Sequence, residues 1–191
     1  MSKKKIILDL CGGTGAWSKP YKDAGYDVRL ITLPEYDVRT YIPPNNVYGI
    51  LAAPPCTMFS IARQGIKKFP RNFAVGMVVV EACLQIIWTC RLKGKLAFWA
   101  LENPTGYLRQ FLGKPPFNFN PCDFGNPWTK KTDLWGWFHE PKKRPVKPNQ
   151  ENFAAIQSVK LYPEYFGKLP REARRSITPP GFARAFFEAN R

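Results

Sequence analysis

A short apolar segment that runs directly into a glycine-rich turn is the strongest constraint on the fold. Residues 6–10 are Ile-Ile-Leu-Asp-Leu, and residues 11–15 are Cys-Gly-Gly-Thr-Gly. Glycine carries no side chain to block a close approach, so a turn of this kind can bring backbone N–H groups up to a ligand. We therefore interpret the segment as a buried first strand that delivers a turn of the type that approaches a nucleotide-like cofactor.

Strand and helix patterns alternate along the rest of the chain. Strands are predicted at residues 26–32, 47–53, 95–101, 117–122 and 132–138, and helices at residues 17–24, 73–92 and 179–190. This order predicts an α/β, Rossmann-like fold with a mostly parallel sheet and helices on both faces. Ligands of such sheets bind at the carboxyl ends of the strands.

The charge of the chain favours a polyanionic partner. Its 191 residues include 29 Lys and Arg but only 14 Asp and Glu, which gives a formal net charge of +15. The basic residues recur in separated clusters, such as Lys67-Lys68 and Arg174-Arg175, and this favours nucleic acid as the partner. A solvated basic surface is the alternative.

Composition also sets expectations about organisation and location. We expect one domain over residues 1–191, with a core at 1–138, a basic Pro/Lys-rich segment at 139–170 and a packing helix within 171–191.

The amino-terminal apolar segment is too short for a signal peptide, so a cytoplasmic protein is expected. Glu81 and Gln85 interrupt the longest apolar run, which predicts a buried helix and no membrane span. A single histidine and the absence of a CxxC pair argue against a metal site.

A thiol follows the strand at residues 47–53. Pro54 and Pro55 stiffen the backbone before Cys56 and would hold its sulfur at a fixed place above the sheet. Nearby Arg63 and Lys67 would favour the thiolate. The alternative is a small buried apolar residue, which is how we interpret Cys83 and Cys90.

A carboxylate follows the strand at residues 95–101. Glu102 lies at the border of a strand that should be buried on both faces, where a carboxyl group has a raised pKa and can donate a proton. The alternative is a surface carboxylate that caps the strand end. Because Cys56 and Glu102 both follow strand ends, they can share one cleft.

Five motifs in this order resemble the DNA cytosine-C5 methyltransferase family. They are the glycine turn, Asp37-Val38-Arg39, Pro54-Pro55-Cys56, Glu102-Asn103-Pro104 and the segment at residues 123–127. The resemblance spans residues 6–136, with a weaker match at residues 176–185. It implies an S-adenosylmethionine-dependent methyltransferase in which Cys56 attacks cytosine and Glu102 contacts the ring. Lys130 keeps one positive charge where the family has arginines, and we include it among the catalytic residues.

The resemblance also implies a binding site for each ligand. Asp37 would contact the adenine of S-adenosylmethionine, and the cofactor site would comprise Asp9, Leu10, Cys11, Gly12, Gly13, Thr14, Gly15, Trp17, Asp37, Val38 and Pro54. The DNA would contact Ser60, Arg63, Lys67, Lys68, Arg71, Asn103, Lys131 and Thr132.

The chain departs from the family in several places, including Pro104 in place of the usual valine and a reduced motif at residues 175–179. Thr32 and Leu33 stand where an acidic residue would hold the cofactor ribose, and Thr132 replaces an arginine. The stretch before residue 176 is too short for a target-recognition domain. Basic loops or an unidentified partner would then supply recognition of the substrate.

Two other functions fit the same residues. One is the same chemistry on RNA or on a free pyrimidine nucleotide. The other is a nucleic-acid-binding protein that retains the fold without catalysis.

Overall fold

A six-stranded sheet organises the protein. The computed structural model describes residues 4–61, 70–94, 96–149, 168–169 and 171–191. The strands are β1 (Ile6–Leu10), β2 (Asp27–Ile31), β3 (Val47–Ala52), β4 (Phe98–Pro104), β5 (Phe117–Phe119) and β6 (Thr132–Trp137), in the order β2-β1-β3-β4-β6-β5. The first four strands of this order are parallel, and β6 runs antiparallel to both of its neighbours.

Helices cover both faces of the sheet. They are α1 (Lys19–Asp23), α2 (Phe73–Lys93), α3 (Arg109–Leu112), α4 (Arg171–Ser176) and α5 (Pro180–Ala189). Helix α2 packs against one face, and α1 and α5 pack against the other.

Alternation along β1 explains why both faces are apolar. Ile6, Leu8 and Leu10 join the core that contains α2, whereas Ile7 joins the core on the opposite face. Adjacent side chains of a strand point to opposite faces, so a strand that is covered on both sides is mostly apolar, and Asp9 is the one polar residue of β1.

Helix α2 has two unlike faces. Val80, Cys83 and Ile87 are fully buried against the sheet, whereas Trp88 is 48% exposed and Leu92 is 83% exposed. By length and composition alone, α2 is the one helix in the described part of the chain that could cross a membrane. A core helix passes the same test.

The chain order of the strands reverses between β1 and β3. Strand β1 pairs with β2 on one side and with β3 on the other, so a crevice forms at the carboxyl ends of β1 and β3. The glycine turn follows β1, and the Pro54-Pro55-Cys56 turn follows β3. The predicted α/β, Rossmann-like fold with helices on both faces is confirmed.

Element boundaries differ from the prediction where pairing or proline decides them. Strand β4 begins at Phe98 and continues to Pro104, because its antiparallel ladder with β6 extends to the Pro104–Thr132 pair. Glu102 therefore lies within the strand. Strand β5 ends at Phe119, because a 3-10 turn begins at Pro121.

Candidate active site

The glycine turn after β1 is built from left-handed backbone. Cys11, Gly13 and Gly15 have φ of 57°, 57° and 71°. A Cβ on Gly12 would lie 2.2 Å from Asp9 Oδ1, whereas a Cβ on Gly13 would meet nothing within 4 Å. The turn is therefore packed tightly on its inner side and is open on its outer side, where a ligand could approach.

Asp9 braces this turn from inside. Ser18 Oγ donates a hydrogen bond to Asp9 Oδ2, and Asp9 is 0% exposed. Burial raises the pKa of Asp9 to about 6. We predicted Asp9 as a cofactor-binding residue, but its carboxylate lies beneath Gly12 and does not face the open side of the turn.

Cys11 anchors the turn to its neighbours. Its N–H donates to the Ile31 carbonyl at 2.8 Å. A hydrogen bond with Cys83 of α2 lowers the pKa of the Cys11 thiol, and the same bond with Cys11 raises the pKa of Cys83. Cys83 is 0% exposed, in agreement with its interpretation as a buried residue.

Asn103 ties the Pro54-Pro55-Cys56 turn to β4. Its Nδ2 donates to the Pro54 carbonyl at 3.0 Å, and the residue is 1% exposed. We predicted that Asn103 contacts the substrate, but a side chain buried to this degree positions the turn instead. The carboxyl ends of β3 and β4 are thus joined directly at the cysteine-bearing turn.

The chain after Cys56 is held by backbone and arginine contacts. Phe59 N and Ser60 N donate to the Cys56 carbonyl at 2.9 and 2.8 Å. Arg71 Nη1 donates to the Met58 carbonyl at 2.9 Å, and Arg71 Nη2 donates to the Ser60 carbonyl at 2.8 Å. The Arg71 guanidinium, predicted to contact DNA, braces this segment.

Charges from three other elements act on the Cys56 thiol. Burial raises its pKa, and the Glu102 carboxylate raises it further, whereas the positive charges of Lys130 and Arg175 lower it. The structure thus brings the three predicted catalytic side chains, Cys56, Glu102 and Lys130, into one electrostatic cluster.

The Glu102 carboxyl group lies within this cluster. Burial raises its pKa, and only Lys130 opposes that effect. Part of the residue reaches the surface, but Oε2 is buried and has no hydrogen-bond partner among the described residues. An acid in this setting holds its proton to a higher pH than an exposed glutamate and can donate it to a bound molecule.

Lys130 links the cluster to the carboxyl-terminal part of the chain. Its Nζ donates to the Arg175 carbonyl at 3.2 Å. Lys130 lies in the loop before β6, and Arg175 lies in the last turn of α4. The sequence identified Arg175 only as part of a basic cluster, because nothing local indicates that α4 folds back onto this loop.

A partly buried ion pair supports the segment that follows Glu102. Asp133 of β6, whose side chain is 0% exposed, pairs with Arg109 Nη2 at 2.6 Å and accepts a hydrogen bond from Thr105 Oγ1 at 2.7 Å. Asp133 is the register partner of Asn103. Sequence reasoning missed this network, because the pairing of β4 with β6 creates it.

Several other predicted ligand-binding side chains are buried. Trp17 is 1% exposed and packs on Phe182 and Phe186, with ring centroids at 5.9 and 5.4 Å, so it belongs to the core and not to a cofactor site. Thr132 is 5% exposed, and its Oγ1 donates to the Lys130 carbonyl, so it cannot present its hydroxyl to DNA. Buried side chains also occur at Leu10, Val38 and Pro54, which leaves only their backbone for a ligand.

The remaining predicted residues are distributed as follows. Asp37 lies at the rim near Cys11 and accepts hydrogen bonds from Arg39, which lower the pKa of Asp37 to about 2. Thr14 and Ser60 are half-buried, and Lys131 is exposed. Arg63, Lys67 and Lys68 lie outside the described residues, as do residues 150–167 of the basic segment.

Over the described ranges, no group of three or more His, Cys, Asp or Glu side chains could hold a metal ion.

Comparisons with known proteins give structural similarity only. No family model matches the chain, and no curated protein matches it. A methyltransferase of Entamoeba histolytica, EhMeth, has a TM-score of 0.48 and 12% identity over 83% of this chain and 66% of its own. A triply substituted DNMT2 of Spodoptera frugiperda has a TM-score of 0.42 and 16% identity over 78% of this chain and 56% of its own. The chain thus spans less than two thirds of the length of either protein.

The sheet itself defines the class of the fold. Four parallel strands, an antiparallel β6 inserted before the edge strand β5, and helices on both faces form a Rossmann-like methyltransferase fold. A fold of this type specifies where ligands bind, but its chemistry depends on the side chains at the site.

Proposed function

We propose that this protein is an S-adenosylmethionine-dependent methyltransferase that acts on C5 of cytosine in DNA through a covalent bond to Cys56. The observation that carries the proposal is the cluster of Cys56, Glu102 and Lys130 beside the glycine turn. A nucleophile, an acid and a cation are the groups that this addition chemistry requires.

The residues after β1 fit a nucleotide-like cofactor. Gly13 has open space where a Cβ would stand, and Gly12 can pack on Asp9 only because it lacks a Cβ. The backbone of residues 11–15 would hold S-adenosylmethionine, with Asp37 at the rim. When bound, this cofactor supplies an electrophilic methyl group.

Cys56 would activate the base. Its thiolate adds to C6 of cytosine, a sulfur–carbon bond forms, and the electron pair of the C5–C6 double bond makes C5 nucleophilic. Once C5 carries a methyl group, H5 leaves as a proton, the double bond re-forms and the sulfur departs. Cys56 is thus regenerated in each turnover.

Glu102 and Lys130 have complementary tasks in this step. A protonated Glu102 donates a hydrogen bond to N3 of cytosine and stabilises the charge that develops when sulfur adds. Lys130 stabilises the thiolate against the burial that raises the pKa of Cys56. Each group therefore acts on a different charge of the same transition state.

Single-stranded DNA is the substrate form that we favour. A base in a duplex must leave the stack before it reaches the half-buried Cys56 thiol, at a cost of about a few kcal/mol, and single strands avoid most of this cost. The stretch between β6 and residue 176 is too short for the target-recognition domain of the family that the motifs resemble, and the net charge of +15 suits a polyanion. Basic loops or a partner protein would add any sequence preference.

Trapping with 5-fluorocytosine tests the proposal. Fluorine at C5 cannot leave as a cation, so a methylated adduct stays attached to the nucleophile. We expect an adduct on Cys56, located by peptide mass, when the protein is incubated with S-adenosylmethionine and 5-fluorocytosine DNA. Cys56→Ser should abolish the adduct, and Cys90→Ser, which changes a buried cysteine of α2, should retain it.

Parallel incubations distinguish the alternatives. Duplex DNA, single-stranded DNA, RNA and free nucleotide should each be offered with a labelled methyl donor. Transfer to RNA or to nucleotide alone would refute DNA as the substrate. Nucleic-acid binding without transfer to any of the four would favour the non-catalytic function.

A further inference from the structure

The carboxyl-terminal segment is fixed against the loop that carries Lys130. Gly181 N donates to Asn126 Oδ1 at 3.0 Å, just before that loop. Phe182 of α5 stacks on Phe119 with ring centroids 3.9 Å apart. Together with the Lys130–Arg175 hydrogen bond, these contacts bring the end of α4 close to the cluster that contains Cys56.

Arg175 brings a positive charge without a carboxylate partner to this cluster. Its side chain is exposed, and it forms no ion pair with any carboxylate in the described part of the chain. By contrast, Arg39, Arg109 and Arg184 are each paired with an acidic side chain. A guanidinium without a carboxylate partner beside a reactive thiol is available to an anion of the substrate.

We propose that Arg175 binds a phosphate that flanks the target cytidine and so holds the nucleotide while its base enters the Cys56 site. This inference rests on the proposed function and assigns the part of the substrate that Arg175 contacts. The planar guanidinium can donate two parallel hydrogen bonds to a phosphate. Lys130 is already engaged with the Arg175 carbonyl and faces the thiol.

A contact of this kind would orient the substrate without reading its sequence. Phosphate contacts fix the register of a nucleic acid, and base contacts provide specificity. Positioning through one phosphate next to the reacting base therefore suits a site whose own described residues supply basic side chains.

The test compares two single-stranded oligonucleotides that carry one cytosine. In one, the phosphates on both sides of the cytidine are natural, and in the other they are neutral methylphosphonates. Binding to the whole protein is measured by fluorescence anisotropy for the wild type, Arg175→Gln, Arg175→Lys and the control Arg184→Gln on α5. Arg184 is exposed and lies outside the proposed site.

We expect Arg175→Gln to weaken binding of the natural oligonucleotide about tenfold, the loss of one charge-assisted contact. The same variant and the wild type should bind the methylphosphonate oligonucleotide equally. Arg175→Lys should recover part of the loss, and Arg184→Gln should change binding by less than about twofold. Unchanged thermal midpoints would show that the variants fold.

Three results would overturn the inference. Arg175→Gln could weaken binding of both oligonucleotides equally, or Arg184→Gln could weaken binding of the natural oligonucleotide as much as Arg175→Gln does. The third result is no measurable binding by the wild type. The proposed function fails separately. Phosphate-dependent binding without methyl transfer would support the Arg175 contact and refute the proposed enzymatic function. Methyl transfer by the wild type, together with unchanged binding by Arg175→Gln, would support the enzymatic function and refute the Arg175 contact.

Discussion

Replacement of Asn103 by alanine should affect the reaction more than it affects stability. The change removes the donor to the Pro54 carbonyl and leaves that acceptor without its partner in a buried position. Loss of one hydrogen bond to a buried acceptor costs about 1–3 kcal/mol of unfolding free energy. Because Asn103 is 1% exposed, water cannot easily replace the lost donor.

The kinetic effect follows from the position of the thiol. Cys56 comes two residues after Pro54, so a released Pro54 carbonyl lets the sulfur move relative to Glu102 on β4. A misplacement of about 1 Å at a reacting atom can slow a reaction about a hundredfold. We therefore expect Asn103→Ala to trap 5-fluorocytosine about 30- to 100-fold more slowly at saturating cofactor.

Two measurements on the same protein check this reasoning. Urea unfolding gives the free energy, and single-turnover trapping gives the rate. The matched control is Asn118→Ala, which removes an exposed asparagine from β5 and should change neither quantity appreciably. A trapping rate within twofold of the wild type, together with a loss of stability above about 1 kcal/mol, would refute the positioning role of Asn103.

Three further outcomes are expected. Burial raises the pKa of Asp9 from 3.8 to about 6. The free energy of unfolding should therefore fall progressively as the pH rises from about 4 to 6, because Asp9 ionises more readily in the unfolded chain than in the native state. Asp9→Asn should flatten the pH dependence of urea unfolding between pH 4 and 6. Lys130→Met should raise the pKa of Cys56, so alkylation of Cys56 by iodoacetamide should slow at neutral pH and its pH profile should move upward. Asp133→Ala should cost about 1–3 kcal/mol in urea unfolding, because it removes a fully buried carboxylate that accepts hydrogen bonds from Thr105 and Arg109.

Controls and contrary results follow for each of these. The pH range for Asp9 is contradicted if the wild type and Asp9→Asn lose stability in parallel between pH 4 and 6. The control for Lys130→Met is Lys131→Met, which removes an exposed neighbouring charge. An equal shift in the pH profile of Cys56 alkylation in both variants would assign the effect to general surface charge. Asp23→Ala breaks an exposed ion pair on α1 and should cost less than about 0.5 kcal/mol, so a similar loss in both aspartate variants would disprove a special role for burial.

The fold could be predicted because its signals are local. Apolar strands, a glycine turn and a long apolar helix each occupy consecutive residues, and their alternation restricts the topology. The extent of β4 could not be predicted in the same way. Its last residues, Glu102 to Pro104, are strand because β6 pairs with them, and that pairing joins residues about thirty positions apart in the chain.

The site could be predicted only in part, for a similar reason. Cys56 and Glu102 follow from motifs at strand ends, and the structure places them together. Asn103 and Trp17 occur in or beside the same motifs, but the side chains are buried, and motif position does not reveal burial. Arg175 meets Lys130 across 45 residues, and only the packing of the carboxyl-terminal helices brings them together.

The hydrogen bond between Asn103 and Pro54 has a consequence for how the protein is made. The two residues are 49 positions apart, and helix α2 lies between them. During synthesis, Cys56 leaves the ribosome well before the residue that fixes its turn. A nascent chain that has reached only the end of α2 would therefore contain the proposed nucleophile without the side chain that holds its turn, and the turn would become fixed only when β4 joins β3.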